Sequence, residues 1–404
     1  MSNIDFSVIA DTPDVISQLF QLIKPFERDY GHRVQVQAVK WVDAWPILLA
    51  NALHGTGPVV SHVGSTWSNS LGAMNTLRPF ARQEVFAVGG VQSFIPAAWH
   101  STSLKNDPTI WAMPWTAYTY IICYREDWLK RVGLDGETAF QTPEAMADAL
   151  RRLQALGVEY PWVIPTLSPY PDLVHIAASF IWGAGGEFID ETGKRTQICQ
   201  PAGRQGLKNF FELYRFLPPS IGQLSYDDCI QLYAQGRVGV LIAGTDAPTL
   251  LLESPDTDPE VRKFTQTALL PGVPWVGGDN LVIWRHARGD PHQERAALEL
   301  VSFLVAPQTQ VALYQLEKSL PVRWDALSQL QFIPESLNKT APAALKKGRP
   351  HQPISLWRVV EYRIGQGLDA VAADLFADPA TDIDAAIRSR LEPVTLRLDL
   401  TLDQ

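Results

Sequence analysis

The sequence predicts an α/β fold divided between two lobes. Three observations lead to this prediction: the chain has 404 residues, it opens with alternating strands and helices, and further long apolar strands follow in its middle. Because a domain commonly holds about 100–200 residues, a chain of this length favours two units. Strands that alternate with helices in this way predict a parallel sheet.

The N-terminal segment predicts a βαβαβ arrangement. Strands are predicted at residues 4–10, 34–39 and 59–63, where apolar residues alternate with polar ones or run continuously. Helices are predicted over 15–30, with Thr12 or Asp14 as the N-cap, and over 43–54. In an open parallel sheet, ligands bind beyond the carboxyl ends of the strands. A site is therefore expected at the loops 11–14, 40–43 and 64–68.

The rest of the chain predicts a second α/β unit. A long strand is predicted over 110–124, broken at Pro114, and strands follow at 238–243, 265–270 and 280–284, the last after a glycine-rich turn. Apolar residues at helical spacing predict helices over 126–132, 143–156, 291–306, 307–317, 335–347, 353–376 and 382–398. The long strands are candidates to carry the chain from one lobe to the other.

The composition excludes several classes of function. Asp and Glu number 43 against 34 Lys and Arg, so the chain lacks the basic excess that nucleic-acid binding requires. The three cysteines are too far apart for a zinc or redox pair, and the scattered histidines, His54 and His62 near turn-like sequence among them, are interpreted as isolated polar residues. No nucleotide, phosphate or nucleophile motif is complete, so no cofactor is expected.

Tryptophan is the feature of the composition that indicates a ligand. The chain has 13 tryptophans, and several stand at predicted element ends beside small or polar residues, as Trp67 does after Ser65 and Thr66. A sugar offers a flat C–H face that stacks on an indole, and hydroxyls that pair with polar side chains. Asp279 and Asn280 follow two glycines and meet the second requirement. Any one of these tryptophans taken singly is also readily explained as a packing residue.

Eight segments carry a resemblance to a known family. In chain order they are GPVVSHVGSTWSNSLGAMNTLRPF (57–80), WAMPWTAYTYIICYREDWL (111–129), FIWGAGGEFIDETGK (180–194), YAQGRVGVLIAG (233–244), LPGVPWVGGDNLVIW (270–284), AALELVSFL (296–304), SLPVRWDAL (319–327) and ISLWRVVEYRIGQGL (354–368). With these segments the chain resembles the family 1 extracellular solute-binding proteins, carbohydrate-binding subunits of ABC importers that are similar to the maltose-binding protein. The resemblance extends over residues 4–398.

The resemblance implies a two-lobed, periplasmic-binding-protein-like fold of type II, with a ligand cleft between lobes joined by three crossovers. One lobe is expected to comprise 1–120 plus 271–322 and the other 121–270 plus 323–404, with crossovers at 118–124, 265–270 and 321–325. The implied function is capture of a sugar, from a mono- to an oligosaccharide or a glycoside, by hinge closure and its delivery to the membrane permease. The resemblance implies no catalysis, no cofactor and no metal.

A monomer located in the periplasm or outside the cell, with or without a lipid anchor, is also implied. The first residues show no basic segment followed by an apolar one, so no signal peptide is expected within this chain.

Ligand contacts are assigned by the strand-end positions and by the resemblance together. Stacking is implied for the aromatic residues and hydroxyl pairing for the polar ones, and Asp246 lies in a turn that often carries an aromatic in this family. The expected ligand-binding residues are Asp14, Trp41, Ser65, Thr66, Trp67, Trp115, Tyr118, Trp182, Asp246, Gly278, Asp279, Asn280, Arg323, Trp324 and Trp357.

Two alternatives stay open. The acidic balance and the aspartates in the loops also fit binding of a non-sugar solute such as an amine, an amino acid or a polyol. A glycoside-acting enzyme would use Asp279 and Asp246 as acid and base, which requires the two carboxyl groups to lie about 5–9.5 Å apart.

Overall fold

The structure, a computed structural model, describes residues 2–11, 13–166, 172–218 and 223–403. Its strands are β1 (Asn3–Ile9), β2 (Arg33–Val39), β3 (Val60–Gly64), β4 (Met113–Arg125), β5 (Tyr160–Val163), β6 (Val238–Gly244), β7 (Thr265–Ala268), β8 (Val276–Ile283) and β9 (Leu320–Pro321). The predicted α/β class is confirmed.

The described chain also contains eighteen α-helices. They are α1 (Pro13–Tyr30), α2 (Trp41–His54), α3 (Ser68–Ala73), α4 (Arg82–Ala87), α5 (Pro96–Trp99), α6 (Glu126–Arg131), α7 (Pro143–Ala155), α8 (Asp172–Gly183), α9 (Pro201–Phe211), α10 (Tyr226–Ala234), α11 (Ala247–Glu253), α12 (Pro259–Phe264), α13 (Pro291–Leu304), α14 (Pro307–Glu317), α15 (Trp324–Leu327), α16 (Leu337–Lys347), α17 (Trp357–Ala377) and α18 (Ile383–Leu402).

The chain divides into two compact units. The first contains Met1–Tyr118, Val276–Leu330 and Pro350–Arg358, and the second contains Thr119–Trp275, Gln331–Arg349 and Val359–Gln404. The sequence-based division differs here, because it assigns 323–404 to one lobe. The segment Pro350–Arg358 joins the first unit through specific contacts: the Ser70 hydroxyl donates to the Ser355 carbonyl, and the Arg358 guanidinium lies over the Trp67 ring.

The first unit is built on a mixed sheet. Its strand order is β2–β1–β3–β8–β4, with β9 beside β4. Strand β1 pairs in parallel with β2 and β3, whereas β8 runs antiparallel to β3. Helix α1 buries Leu19, Leu22, Ile23 and Phe26, which recur at helical spacing on one face. The apolar core continues through Leu48, Val63, Trp67, Leu71, Trp111, Val282 and Trp284.

The second unit has its own sheet, in the order β5–β6–β4–β7. Strands β5 and β6 are parallel, and β4 runs antiparallel to β6 and to β7. Helix α8 is buried from Leu173 to Trp182, as its nearly continuous apolar sequence requires. The largest fully buried side chains of this unit are Trp162, Phe180, Phe210, Phe211 and Tyr233.

Three local predictions are wrong in ways that affect the site. Helix α2 begins at Trp41 and not at 43, so Trp41 is a helical residue. The glycine-rich turn before residue 280 is absent from this described segment, because β8 begins at Val276 and includes both glycines, and Asp279 pairs opposite Gly64 of β3. His62 lies inside the buried strand β3 and not near a turn.

The structure also bears on membrane-spanning segments. Within the described ranges, no single helix is long and apolar enough to cross a membrane, and one pair of helices, α13 with α14, meets the length and composition criteria only jointly, across a bend of 66°.

Candidate functional site

The parallel strands of the first unit end at one edge of their sheet, and several predicted ligand residues lie there. Strands β1, β2 and β3 lead at their carboxyl ends to Asp11, to Trp41 and to the segment 65–67. The Asp11 carboxylate accepts a hydrogen bond from the Trp41 backbone N–H at 3.1 Å, and the Ser65 N–H donates to the Gly278 carbonyl at 2.9 Å. This edge is where an open sheet places a ligand.

Three indoles lie together at this edge. The ring centroids of Trp41 and Trp67 are 5.3 Å apart with an interplanar angle of 74°, and those of Trp45 and Trp67 are 5.8 Å apart at 64°. Such edge-to-face pairs match the charge distribution of the rings. Trp67 packs into the core, while Trp41 and Trp45 are only half-buried. The cluster therefore keeps accessible aromatic surface beside the strand ends.

A polar group lies next to these rings. The Thr116 hydroxyl donates to Oδ2 of Asp279 at 2.7 Å, and Nε2 of His62 lies 3.2 Å from Oδ1 of the same carboxylate. The His62 ring is 6.0 Å from the ring of Trp41 and 4.9 Å from that of Trp115. Asp279 keeps 19% of its side-chain surface exposed, so its carboxylate remains reachable.

Two further features shape this polar group. Glu317, at the end of α14, interacts electrostatically with Asp279 and His62, and burial raises the pKa of its carboxyl to about 7, with the charge of Asp279 acting in the same direction. Gly278 has φ +126°, and a Cβ at this position would lie 2.1 Å from the Thr116 carbonyl oxygen. Glycine is therefore required for β8 to approach β4 closely enough to join Asp279 to Thr116.

Trp115 borders the same polar group from β4. Its side chain is 2% exposed, and its Nε1–H has no hydrogen-bond partner among the described residues. An unpaired buried donor costs about 1–3 kcal/mol. Such a donor in a native structure needs an explanation, and an acceptor supplied by a ligand or by water is one.

The second unit has a comparable arrangement at the carboxyl end of β6. Tyr120 of β4 lies opposite Gly244, the last residue of β6, and its hydroxyl donates to Asp172 at 2.6 Å. The Trp275 ring lies 5.9 Å from the Tyr120 ring and is stacked on the imidazole of His175 at 3.9 Å. This unit therefore also combines aromatic rings with acidic and hydroxyl groups at a strand end.

Two predicted residues belong to the second unit. Trp182, at the end of α8, is buried beneath the guanidinium of Arg349, which lies 4.9 Å from the ring centroid and pairs with Glu187. Asp246 occupies the N-cap position of α11, where burial raises the pKa of its carboxyl above the ordinary value. Its Oδ1 accepts no hydrogen bond from the part of the chain that is described.

Two predicted hydroxyl-pairing residues have polar groups engaged within the first unit, and their contact with a ligand stays a prediction. The Asn280 amide is fully buried and donates to the hydroxyls of Ser68 and Ser101 at 2.9 Å each. Arg323 is buried, forms a two-point ion pair with Asp325 and donates to the Val88 carbonyl. These contacts use both N–H groups of the Asn280 amide and three of the five guanidinium N–H groups of Arg323, so both residues stabilise the fold.

The other predicted residues are placed as follows. Trp357 is 1% exposed and stacks on His351, with ring centroids 4.3 Å apart. Asp14 is exposed in the first turn of α1, where a carboxylate suits the helix dipole. Thr66, Tyr118 and Trp324 are half-buried. Their contact with a ligand stays a prediction.

Several residues of the two clusters are absent from the ligand-binding residues expected from the sequence. In the first unit these are Trp45, His62, Thr116 and Glu317, and in the second Tyr120, Asp172, His175 and Trp275. One signal was available for His62, because residues i and i+2 of a strand share a face and Gly64 already marked the strand end. No group of three or more His, Cys, Asp or Glu side chains among the described residues is arranged to hold a metal ion.

The chain matches the family model of the bacterial extracellular solute-binding proteins over residues 21–339. It matches no curated protein sequence. Its fold is similar to that of maltose-bound MalE3 from T. maritima, with a TM-score of 0.82 and 18% identity over 99% of this chain and 100% of that one. It is also similar to the sugar-binding protein MalE from Xanthomonas citri, with a TM-score of 0.80 and 19% identity over 99% and 97%.

A third similar structure is a ribitol complex of an ABC transporter solute-binding protein from Agrobacterium radiobacter K84. Its TM-score is 0.77, with 16% identity over 99% of this chain and 98% of that one. At such identities the likeness establishes a shared fold, that of the two-lobed MalE-like binding proteins. Since the family model covers most of the sequence, the chain belongs to the bacterial extracellular solute-binding protein family.

Proposed function

We propose that this protein is the substrate-binding subunit of an ABC importer and that it captures a neutral sugar, glycoside or polyol. The observation that carries this proposal is the cluster at the strand ends of the first unit. There the half-buried indole of Trp41 lies 6.0 Å from the ring of His62, and Nε2 of His62 lies 3.2 Å from the partly exposed carboxylate of Asp279. A sugar needs both an aromatic face for its C–H groups and polar groups for its hydroxyls.

The similar structures support the choice of ligand. MalE3 of T. maritima was solved with maltose, and the protein from A. radiobacter K84 was solved with ribitol. A binding protein in this role releases its ligand unchanged, so the proposal includes no catalytic step. It includes a hinge motion of the two units, recognition of the ligand-bound form by the permease subunits, action as a monomer, and a location outside the cytoplasmic membrane.

The first test is a thermal-unfolding screen of the full chain. The panel contains maltose, D-tagatose, D-glucose and ribitol, with amino acids and polyamines as the competing ligand classes. A ligand at 100 times its Kd stabilises the folded state by about 2.7 kcal/mol. We expect a rise in Tm with a subset of the sugars or polyols, and unchanged ligand on chromatography afterwards. A rise with amines or amino acids alone, or a hydrolysed product, contradicts the proposal.

A pair of tryptophan variants tests whether the ligand-induced rise in Tm depends on the candidate site. Trp41→Ala removes an indole at the strand ends, and we expect it to reduce the ligand-induced rise in Tm. Trp128→Ala is the matched control, because Trp128 is also half-buried but lies in the second unit beneath Arg125. An equal loss in both variants would place the ligand away from Trp41.

A further inference from the structure

His62 has a defined protonation pattern, which follows from one hydrogen bond. The backbone N–H of Ile9 donates to Nδ1 of His62 at 3.1 Å, so Nδ1 must carry a lone pair. A neutral imidazole then holds its proton on Nε2. Buried strand β3 and its neighbour β1 thus fix His62 as a donor at Nε2.

The donor at Nε2 forms no hydrogen bond with any described residue. Nε2 is buried and lies 3.2 Å from Oδ1 of Asp279, yet the geometry makes no hydrogen bond between them. Nε1 of Trp115, whose ring is 4.9 Å from the imidazole, is likewise buried without a partner among the described residues. Two adjacent side chains, each more than nine-tenths buried, therefore present N–H groups that lack an acceptor.

The acceptor side of the cluster is Asp279. Its Oδ2 is held by the Thr116 hydroxyl, which fixes the orientation of the carboxylate, while Oδ1 accepts no hydrogen bond from the described chain. The side chain retains exposed surface, so an incoming group can reach it. Glu317 adds a second carboxyl that interacts with Asp279.

Unpaired donors beside a free carboxylate oxygen select for one kind of functional group. A hydroxyl accepts from an N–H through its oxygen and donates its own proton to a carboxylate. An ammonium group has no lone pair for either N–H, and a carboxylate or phosphate would be repelled by Asp279. An analogue that lacks the matching group would leave buried polar atoms unpaired, which is how such sites discriminate.

We propose that His62, Trp115 and Asp279 form a hydroxyl-binding site in the first unit, with His62 Nε2–H and Trp115 Nε1–H as donors and Asp279 Oδ1 as acceptor. This site selects a neutral polyhydroxy ligand over its amino-substituted analogue. The inference rests on the proposed function and deepens it, because it assigns a binding role to His62 and excludes the amine class at this position.

The test compares variants against matched ligands by calorimetry. The ligands are D-glucose, its single-deoxy analogues and D-glucosamine, or the corresponding set built on whichever of maltose, D-tagatose or ribitol binds best. His62→Phe keeps a planar ring and removes both nitrogens, and Trp115→Phe keeps a ring and removes the N–H. His54→Phe is the control, since His54 is exposed at the end of α2.

We expect His62→Phe and Trp115→Phe each to reduce the affinity for the parent sugar about ten-fold, and His54→Phe to leave that affinity unchanged. One deoxy analogue lacks the recognised hydroxyl. For that analogue, His62→Phe should cause no further loss of affinity, because the interaction is already missing. Equal affinity of His62→Phe and the parent protein overturns the site. An equal loss with the parent sugar and with every deoxy analogue, or tighter binding of the amino analogue than of the sugar, also overturns it.

A measurement on the unmodified protein protects the test against a variant that fails to fold. Imidazole ¹⁵N NMR should show His62 protonated at Nε2 and not at Nδ1, with the Nε2 resonance moving when the sugar is added. A proton on Nδ1, or an Nε2 resonance that does not shift at a saturating concentration of sugar, refutes the assignment. If no sugar or polyol binds, the proposed function fails and the site with it; if a sugar binds equally well to His62→Phe, only the site fails.

Discussion

Replacement of Asp279 by alanine is the perturbation that most directly probes the candidate site. In the free protein, Asp279→Ala removes one hydrogen bond, from the Thr116 hydroxyl at 2.7 Å. Water can replace it because the side chain is 19% exposed, so we expect the free energy of unfolding to fall by only about 1 kcal/mol. The β3–β8 pairing opposite Gly64 uses backbone groups and is retained.

The effect on ligand binding should be larger. A hydrogen bond from a ligand hydroxyl to a charged carboxylate contributes about 1.5–3 kcal/mol, which corresponds to a rise in Kd of roughly 10- to 150-fold. Isothermal titration calorimetry with the ligand found by the thermal screen measures this change. The enthalpy should become less favourable, because the lost interaction is polar.

Asp290→Ala is the matched control for Asp279→Ala. Asp290 is an exposed N-cap in the same unit, and its carboxylate accepts the backbone N–H groups of His292 and Gln293. Loss of this cap costs about 1 kcal/mol of stability, comparable to the loss expected at Asp279. We expect the Kd of Asp290→Ala to equal that of the parent. A Kd for Asp279→Ala within about two-fold of the Asp290→Ala value would remove Asp279 from the site.

Three further variants test the first unit. The pKa of Glu317 is raised from 4.5 to about 7, so the free energy of unfolding of the parent should fall as pH rises across this interval. In urea denaturation at pH 5 and pH 8, Glu317→Gln should reduce the difference in unfolding free energy between the two pH values by on the order of 1–3 kcal/mol. An equal difference in variant and parent would contradict this prediction. Trp357→Ala should lower the unfolding free energy by about 3–5 kcal/mol, since the ring is 1% exposed, whereas a loss of affinity at unchanged Tm would make Trp357 a ligand platform. Asn280→Ala removes the amide donor from the buried hydroxyls of Ser68 and Ser101, which keep their hydrogen bonds to backbone carbonyls, and should lower the unfolding free energy by about 1–3 kcal/mol in chemical denaturation. We expect an unchanged Kd, and a selective change in Kd would support a ligand contact by Asn280.

The sequence was most informative where a pattern is local. The alternation of strands and helices predicted β1, α1, β2 and β3 to within one or two residues, because periodic burial of apolar side chains determines both kinds of element. The parallel order of these strands then gave the edge at which Trp41, Ser65 and Trp67 lie. Eight degenerate segments in a fixed order led to the family that the family model identifies.

The sequence failed where a distant strand or helix decides the environment of a residue. The glycines before Asp279 predict a turn in isolation, but in the folded chain they belong to β8, which lies between β3 and β4 in the sheet. Asn280 and Arg323 have polar side chains suited to a ligand, and only the packing of Ser68, Ser101 and Asp325 around them shows which of their donors form hydrogen bonds within the protein. Glu317 is the last residue of an ordinary helix, and its raised pKa arises from burial in the folded chain.

The sequence by itself determined the α/β class, the family resemblance and the strand ends at which a ligand site belongs, since these depend on periodicity and on the order of segments along the chain. The tertiary structure alone decided that His62, Thr116 and Asp279 meet. These residues come from three strands, separated by 54 and by 163 positions in the sequence, and their contacts arise from strand register. Register is a property of paired strands, so a single strand's sequence does not specify which side chains it will face.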